Sequence, residues 1–253
     1  MNEIIENSWT RLRSFTNARL ALGRTGDSLP TEEVLRFGLE HALARDAVHR
    51  SLDVESVVGG LAADGFESLT VQSAVRDRVE YLRRPDLGRT LNEESRAFLR
   101  TNSQRFLRDS DRIVIFIIAD GLSAIAPERH ALLILREMVA RCEDLQRIPV
   151  IVATQARVAL GDDIGEMLGA EMTVMLIGER PGLSAPDSLG IYLTYRPHIG
   201  CTDADRNCIS NIRPEGLSYE AAAYKLNHLM LAARKLGRSG IALKDESDLQ
   251  RLP

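Results

Sequence analysis

A run of seven apolar residues, at positions 113–119, restricts the fold of this chain more than any other feature of the sequence. The run is apolar on both faces and rich in branched side chains. A central strand of a parallel sheet has this composition, because helices cover both faces of such a sheet. An acidic residue, a glycine and a hydroxyl residue then follow, in Asp120-Gly121-Leu122-Ser123. The run therefore predicts a central strand that ends in a polar turn.

Predicted strands and helices alternate after this run, which indicates a parallel sheet with right-handed crossovers. We therefore expect an α/β protein with a Rossmann-like, mostly parallel sheet flanked by helices. Further strands are predicted at 149–153, 173–177 and 190–195, helices at 128–144, 164–169 and 218–236, and a long polar loop at 197–214.

The first quarter of the chain is predicted to be helical. Pro30 and Thr31 are typical of a helix start, and the apolar pattern continues from there to about residue 50. We therefore expect an N-terminal helical segment at 1–65 and an α/β domain at 66–253. Within the helical segment, helices are predicted at 1–18, 31–50 and 54–61; beyond it, short strands at 69–75 and 79–82 and a helix at 92–107.

Bulk composition excludes several classes of protein. Hydrophobic residues make up 44% of the 253 and charged residues 27%, so a sizeable core is possible. A net charge of −4 argues against a dedicated nucleic-acid or anionic-membrane binder. No apolar run approaches the roughly 20 residues of a membrane span, and the N-terminus lacks the apolar core of a secretory signal. We expect an intracellular protein.

The cysteines predict neither a disulfide framework nor a metal site. Cys142 falls in a predicted helix and is interpreted as a small buried apolar residue. Cys201 and Cys208 share a predicted loop with His198, but their spacing matches no standard zinc pattern.

Three loops follow the carboxyl ends of predicted strands, namely 120–123, 155–158 and 178–182. A parallel sheet collects such loops at one edge, where open α/β sheets bind their ligands. Glu179 lies in the third of these loops, in the turn Gly-Glu-Arg-Pro-Gly. The predicted loop at 197–214 reaches the same edge only if the strand before it is parallel to its neighbours.

No catalytic set is evident at this edge. The dinucleotide fingerprint, the Gly-x-Ser-x-Gly elbow and the His-Glu-x-x-His motif are absent from the sequence. Ser123 and Ser184 have no base beside them in the sequence. The basic turn at 83–89 is either a solvated loop with an internal ion pair through Asp86 or a contact for a carboxylate-bearing ligand or partner. The edge is therefore typical of a protein that holds a ligand rather than one that reacts with it.

Several longer motifs resemble the small (light) subunit of ethanolamine ammonia-lyase, in the same order along the chain. The likeness covers roughly residues 18 to 245. The motifs that carry it lie at 84–89, 120–123, 157–166, 177–184, 187–192 and 203–212.

This resemblance implies an adenosylcobalamin enzyme that converts ethanolamine to acetaldehyde and ammonia. A large subunit, a (β/α)8 barrel, would perform the radical chemistry, and the small subunit would close over the cobalamin at the interface. The family's cobalamin-contacting positions correspond here to Val158, Glu179 and Cys208, and domain 66–253 would be the cobalamin-binding domain. The resemblance also implies a hetero-oligomer with six copies of each subunit and no catalytic residue in this chain.

Family members packaged into bacterial microcompartments carry a long N-terminal extension, whereas only about 17 residues precede the shared part here. We therefore expect a cytoplasmic protein, with the microcompartment as the alternative location. Two other functions stay open: a self-sufficient α/β nucleotide-binding enzyme and a structural adaptor. The adaptor predicts no cofactor contact by Glu179.

Overall fold

The computed structural model describes residues 9–16, 18–106, 113–142 and 145–247. Within these ranges, six strands form a single sheet in the order β1-β3-β2-β4-β5-β6. The strands are β1 (Ser68–Gln72), β2 (Val114–Ala119), β3 (Val150–Thr154), β4 (Met172–Gly178), β5 (Leu189–Tyr195) and β6 (Arg206–Ile212).

The α/β class is confirmed, but the prediction of a mostly parallel sheet is wrong. Strands β1, β3, β2 and β4 are parallel, whereas β5 runs antiparallel to both β4 and β6. The reason lies in the connections, because a parallel crossover needs a dozen or more residues and usually a helix. Loops 179–188 and 196–205 are too short to supply one. The sheet is therefore mixed.

Helices cover both faces of the sheet. The described helices are α1 (Thr31–His49), α2 (Val54–Ala63), α3 (Arg78–Arg83), α4 (Glu93–Asn102), α5 (Ile125–Val139), α6 (Leu160–Leu168) and α7 (Tyr219–Leu236). Helices α2, α5 and α7 pack on one face, where β2 contributes Val114, Phe116 and Ile118 to the core. Helices α4 and α6 pack on the other face, against Ile115 and Ile117.

Two predicted elements were wrong. The segment predicted as a strand at 79–82 is helix α3, which starts because the Asp77 side chain accepts a hydrogen bond from the Glu80 backbone N–H. The polar loop predicted at 197–214 contains strand β6. This edge strand buries only Arg206, Ile209 and Ile212, so it lacks the alternating apolar pattern of a strand.

Other predictions were correct in type but not in extent. Helix α5 ends at Val139, before the predicted end at 144, which lies outside the described residues. Helix α4 ends at Asn102, and a short 3-10 turn, Ser103–Phe106, follows it. Helix α6 starts four residues earlier than predicted. Of the predicted helix at 1–18, only the 3-10 turn Thr10–Ser14 is helical among the described residues.

None of the helices in these ranges combines the length and apolar character that a membrane crossing requires.

Candidate ligand pocket at the carboxyl edge of the sheet

Asp120, the residue after β2, ties three loops together at the carboxyl edge. Its carboxylate accepts backbone hydrogen bonds from Gly121, Gln155 and Ala156, each at 2.9 Å, and one from the Arg78 guanidinium at 3.1 Å. Burial raises the pKa of this carboxyl, while Arg78 and the three N–H groups oppose that rise. Asp120 therefore organises the edge rather than facing a ligand.

Tyr81 on α3 forms one wall of the edge. It is fully buried, and its hydroxyl donates a hydrogen bond to the Ala156 carbonyl at 2.9 Å. The guanidinium carbons of Arg78 and Arg157 lie 4.5 and 4.2 Å from the centre of its ring, within the range of cation–π contacts. Burial, and next the Asp120 carboxylate, raise the pKa of the Tyr81 phenol. Its role at neutral pH is to shape the wall.

An open pocket of about 440 Å³ lies where these loops meet β4 and β5. This volume falls within the range of small-molecule sites, which are mostly apolar with a few polar groups. The lining residues are Tyr81, Gly121, Leu122, Arg157, Val158, Ile177, Gly178, Glu179, Arg180 and Tyr192.

Two of the three predicted site residues, Val158 and Glu179, line this pocket. The third, Cys208, does not line it but lies beside Tyr192, which does. Tyr192 pairs with Cys208 across β5 and β6, and such cross-strand partners present their side chains on the same face of the sheet. The structure therefore brings the three positions into one region.

Cys208 and Tyr192 influence each other's ionisation. Although Cys208 is exposed as a residue, desolvation of its sulfur raises the pKa of the thiol. The hydrogen bond with Tyr192 opposes this rise, and the Glu179 carboxylate adds to it. Desolvation also raises the pKa of the Tyr192 phenol. Both groups are therefore neutral near pH 7.

The antiparallel direction of β5 changes how the end of the chain reaches the pocket. Loop 196–205 lies at the opposite edge of the sheet, so the predicted loop at 197–214 does not meet the pocket as a loop. Strand β6 instead returns the chain to the carboxyl edge. There the Asn211 backbone N–H donates to Glu179 Oε2 at 3.2 Å.

His198 and the cysteines do not gather around a common point. The Cys201 sulfur lies 3.3 Å from His198 Nδ1, whereas Cys208 is on β6 beside Tyr192. Across the described ranges, no group of three His, Cys, Asp or Glu residues is placed to hold a metal ion. In the basic turn, Arg84 and Asp86 form a salt bridge at 2.7 Å, which is the internal pair that the sequence suggested.

Loop 179–188, which carries Glu179, is fixed by the turn and the helix that follow β2. The Ser123 hydroxyl donates to the Pro186 carbonyl at 2.6 Å, and Arg129 donates to the Asp187 carboxylate at 2.8 Å. Buried His130 lies 3.4 Å from Asp187 through Nε2. It is also 2.9 Å from the Tyr219 hydroxyl through Nδ1.

We expect the stability of the chain to fall as the pH drops through about 6.5, in part because of His130. Burial lowers the pKa of this imidazole, although the Asp187 carboxylate opposes the shift. The unfolded chain therefore binds a proton more readily than the folded chain, and each pH unit costs at most about 1.4 kcal/mol. Urea unfolding at pH 7.5 and 5.5 measures this loss, which His130→Gln reduces and His198→Asn, an exposed control, does not. An identical pH dependence in wild type and His130→Gln would contradict the assignment.

The sequence did not single out Tyr81 or Tyr192, which form two walls of the pocket. Asp77 and Glu80 have the spacing of a helix cap, and this pair could have predicted the helix that carries Tyr81. Tyr192 could have been found from the alternation in β5, since it is half-buried between two buried neighbours.

The fold and this pocket define an α/β protein with an open pocket at the carboxyl edge of a mixed sheet. Ser123 donates its proton to a backbone carbonyl, and Ser184 is exposed on the loop. In the part of the chain that the structure describes, neither serine forms a hydrogen bond with a histidine. The pocket thus offers apolar walls and a carboxylate acceptor.

The chain belongs to the ethanolamine ammonia-lyase light chain family, whose model matches residues 6–244. It is 52% identical over 249 residues to the ethanolamine ammonia-lyase small subunit of Pseudomonas putida strain GB-1, covering 98% of this chain and 91% of that protein. The small subunit of Azotobacter vinelandii is 51% identical, with coverages of 98% and 92%. That of Pseudomonas syringae pv. tomato is also 51% identical, with coverages of 100% and 90%.

Proposed function

We propose that this chain is the small subunit of an adenosylcobalamin-dependent ethanolamine ammonia-lyase and holds the cofactor against a large subunit. The observation that carries the proposal is the shared location of Val158 and Glu179 in one pocket, with Cys208 beside the pocket residue Tyr192. The family likeness implies these same positions. The names of the relatives, which are all small subunits, support a large partner.

The pocket suits the rim of a corrin ring, which carries neutral amide groups. Glu179 is half-buried, and its Oε1 atom accepts no hydrogen bond from any residue that the structure describes. An amide N–H can therefore donate to this oxygen without displacing a protein group. Val158 and Tyr192 provide apolar contact beside it. Because the pocket is open, it would hold one side of the cofactor and leave the other side to the large subunit.

The residues of this chain would bind and orient the cofactor rather than react. When bound, adenosylcobalamin supplies a radical through homolysis of its cobalt–carbon bond. Glu179 would fix the orientation of the ring, and Val158 with Tyr192 would exclude water from its rim. Ethanolamine would be converted in the barrel of the large subunit, with release of acetaldehyde and ammonia.

Three finer features of the proposal stay predictions. The complex with six copies of each subunit is implied by the family likeness, the division of the chain after residue 65 by the helical pattern of the first quarter, and the cytoplasmic or microcompartment location by the sequence pattern and the family likeness together. The Rossmann-like description of the sheet also stays a prediction.

We expect Glu179→Ala to weaken the cofactor affinity of the complex about tenfold or more, because a hydrogen bond to a charged group contributes about 1.5–3 kcal/mol. The measurement is the adenosylcobalamin dependence of ammonia release, with this chain combined with the large subunit from the same organism. Glu220→Ala, at an exposed position on α7, is the matched control. An unchanged cofactor KM in Glu179→Ala would contradict the site, and turnover of a nucleotide by this chain alone would favour the self-sufficient enzyme.

A further inference from the structure

Two residues near the start of β5, Ser188 and Gly190, lie against Glu179. Both fall in the motif at 187–192, but no role is assigned to either residue among the proposed cofactor contacts. The Glu179 backbone N–H donates to the Ser188 carbonyl at 2.9 Å, and this hydrogen bond joins the two ends of loop 179–188. The buried Ser188 hydroxyl donates to Glu179 Oε2 at 2.5 Å. Ser188 therefore fixes both the backbone and the carboxylate of this residue.

The second carboxylate contact comes from β6. The Asn211 backbone N–H donates to the same oxygen, Oε2, at 3.2 Å. Two donors thus meet one oxygen, and in the described ranges Glu179 forms no ion pair with a cation. The other carboxylate oxygen, Oε1, can therefore still accept a hydrogen bond.

Gly190 provides the space in which this carboxylate lies. A side chain at this position would place its Cβ atom 3.1 Å from both Cγ and Oε1 of Glu179, which is tighter than nine in ten real Cβ contacts. Gly190 faces Ile177 across β4 and β5, so the strand cannot move away without disturbing the sheet. Because the atoms that it would meet belong to the Glu179 side chain, alanine at this position would have to shift the carboxylate by a few tenths of an ångström.

We propose that Ser188 and Gly190 are positioning residues that fix the Glu179 carboxylate, so that Oε1 faces a ligand's amide N–H. The Ser188 hydroxyl and the Asn211 backbone N–H together occupy Oε2, and the missing side chain of Gly190 leaves room for Oε1. This inference rests on the proposed function, because the amide belongs to the cobalamin. It predicts that both residues act on cofactor binding only through Glu179.

The test is a titration of the complex with cyanocobalamin, which is followed by its absorbance and does not require turnover. The variants are Ser188→Ala, Gly190→Ala, Glu179→Ala and the double variant Ser188→Ala/Glu179→Ala. We expect each of the first two to raise the Kd roughly tenfold, as the loss of one well-oriented hydrogen bond would. In the Glu179→Ala background, Ser188→Ala adds no further increase. Ser184→Ala, an exposed serine of the same loop, serves as the control and leaves the Kd unchanged.

The possible outcomes separate this inference from the proposed function. If Glu179→Ala raises the Kd and Ser188→Ala does not, the positioning role is wrong while the proposed function stands. If the two effects add in the double variant, Ser188 acts independently of Glu179, for example through the fold, and the inference is also overturned. If Glu179→Ala itself leaves the Kd unchanged, the proposed cofactor site fails.

Discussion

Replacement of Arg206 by alanine is expected to lower the free energy of unfolding by about 3–5 kcal/mol, the cost of leaving a buried charge without its partner. Arg206 on β6 binds Asp162 on α6 through two hydrogen bonds, at 2.5 and 2.7 Å. The two side chains are only 2% and 3% exposed. Further bonds from the guanidinium reach Thr194 and the Cys201 carbonyl. The variant would therefore leave the buried Asp162 carboxylate without its charged partner.

Urea unfolding of the chain measures this effect, and a double variant makes the cause clear. In Arg206→Met/Asp162→Leu both charges are replaced by apolar groups, and such replacements are often neutral or stabilising. We therefore expect the double variant to regain most of the stability that the single variant loses. Arg45→Met, which breaks an exposed pair with Asp46, is the matched control and should cost less than about 1 kcal/mol. A loss of under 1 kcal/mol in Arg206→Ala would show that the buried pair is not important.

The second large effect is expected at Gly178, the last residue of β4. A Cβ atom there would lie 2.0 Å from the Ser123 carbonyl oxygen and 2.6 Å from that of Asp120. Both are backbone atoms, so no side chain can move to relieve the overlap. The turn after β2 approaches β4 this closely because Gly121 adopts a φ of +56°, a conformation that glycine reaches without strain. Gly178→Ala must therefore displace the turn from the strand.

We expect Gly178→Ala to cost about 3 kcal/mol of stability, at the upper end of what overpacking usually costs. Cofactor binding by the complex should weaken as well, since Gly121 and Gly178 both line the pocket. Gly59→Ala is the matched control, because this helical glycine has open space around it. Alanine is favoured over glycine in a helix, so the control should be stabilised by up to about 1 kcal/mol. Equal stability of the two alanine variants would refute the close approach of the turn.

The sequence predicted the centre of the fold well because long-range packing and local pattern agree there. Strands β2 and β4 are buried along their whole length, and their apolar runs are visible without any partner. The direction of β5 could not be read in the same way. Its residues suit either direction, and the length of the loop before it decides between them.

The sequence pattern did not predict two short elements, α3 and β6, because their local pattern and their tertiary context disagree. In α3, Val79, Tyr81 and Leu82 have the composition of a strand, and only the Asp77 cap favours a helix. Strand β6 buries only three of its seven residues and, as the edge strand, pairs with β5 alone among the described strands.

The candidate site was predicted in part. The positions of Glu179 and Val158 in loops that follow strands come from the sequence pattern, whereas the cofactor contacts of Val158, Glu179 and Cys208 come from the family likeness. The roles of Ser188 and Gly190 became visible only when the structure placed them against the Glu179 carboxylate.

A structure of the complex between this chain and its large subunit, with cobalamin bound, tests the central proposal most directly. We predict that Glu179 Oε1 lies within about 3.2 Å of an amide nitrogen on the corrin rim, the usual length of such a hydrogen bond. Val158 should contact the same rim, and Cys208 should lie beside it. A cobalamin enclosed by the large subunit alone, with no contact to any of these three residues, would contradict the account.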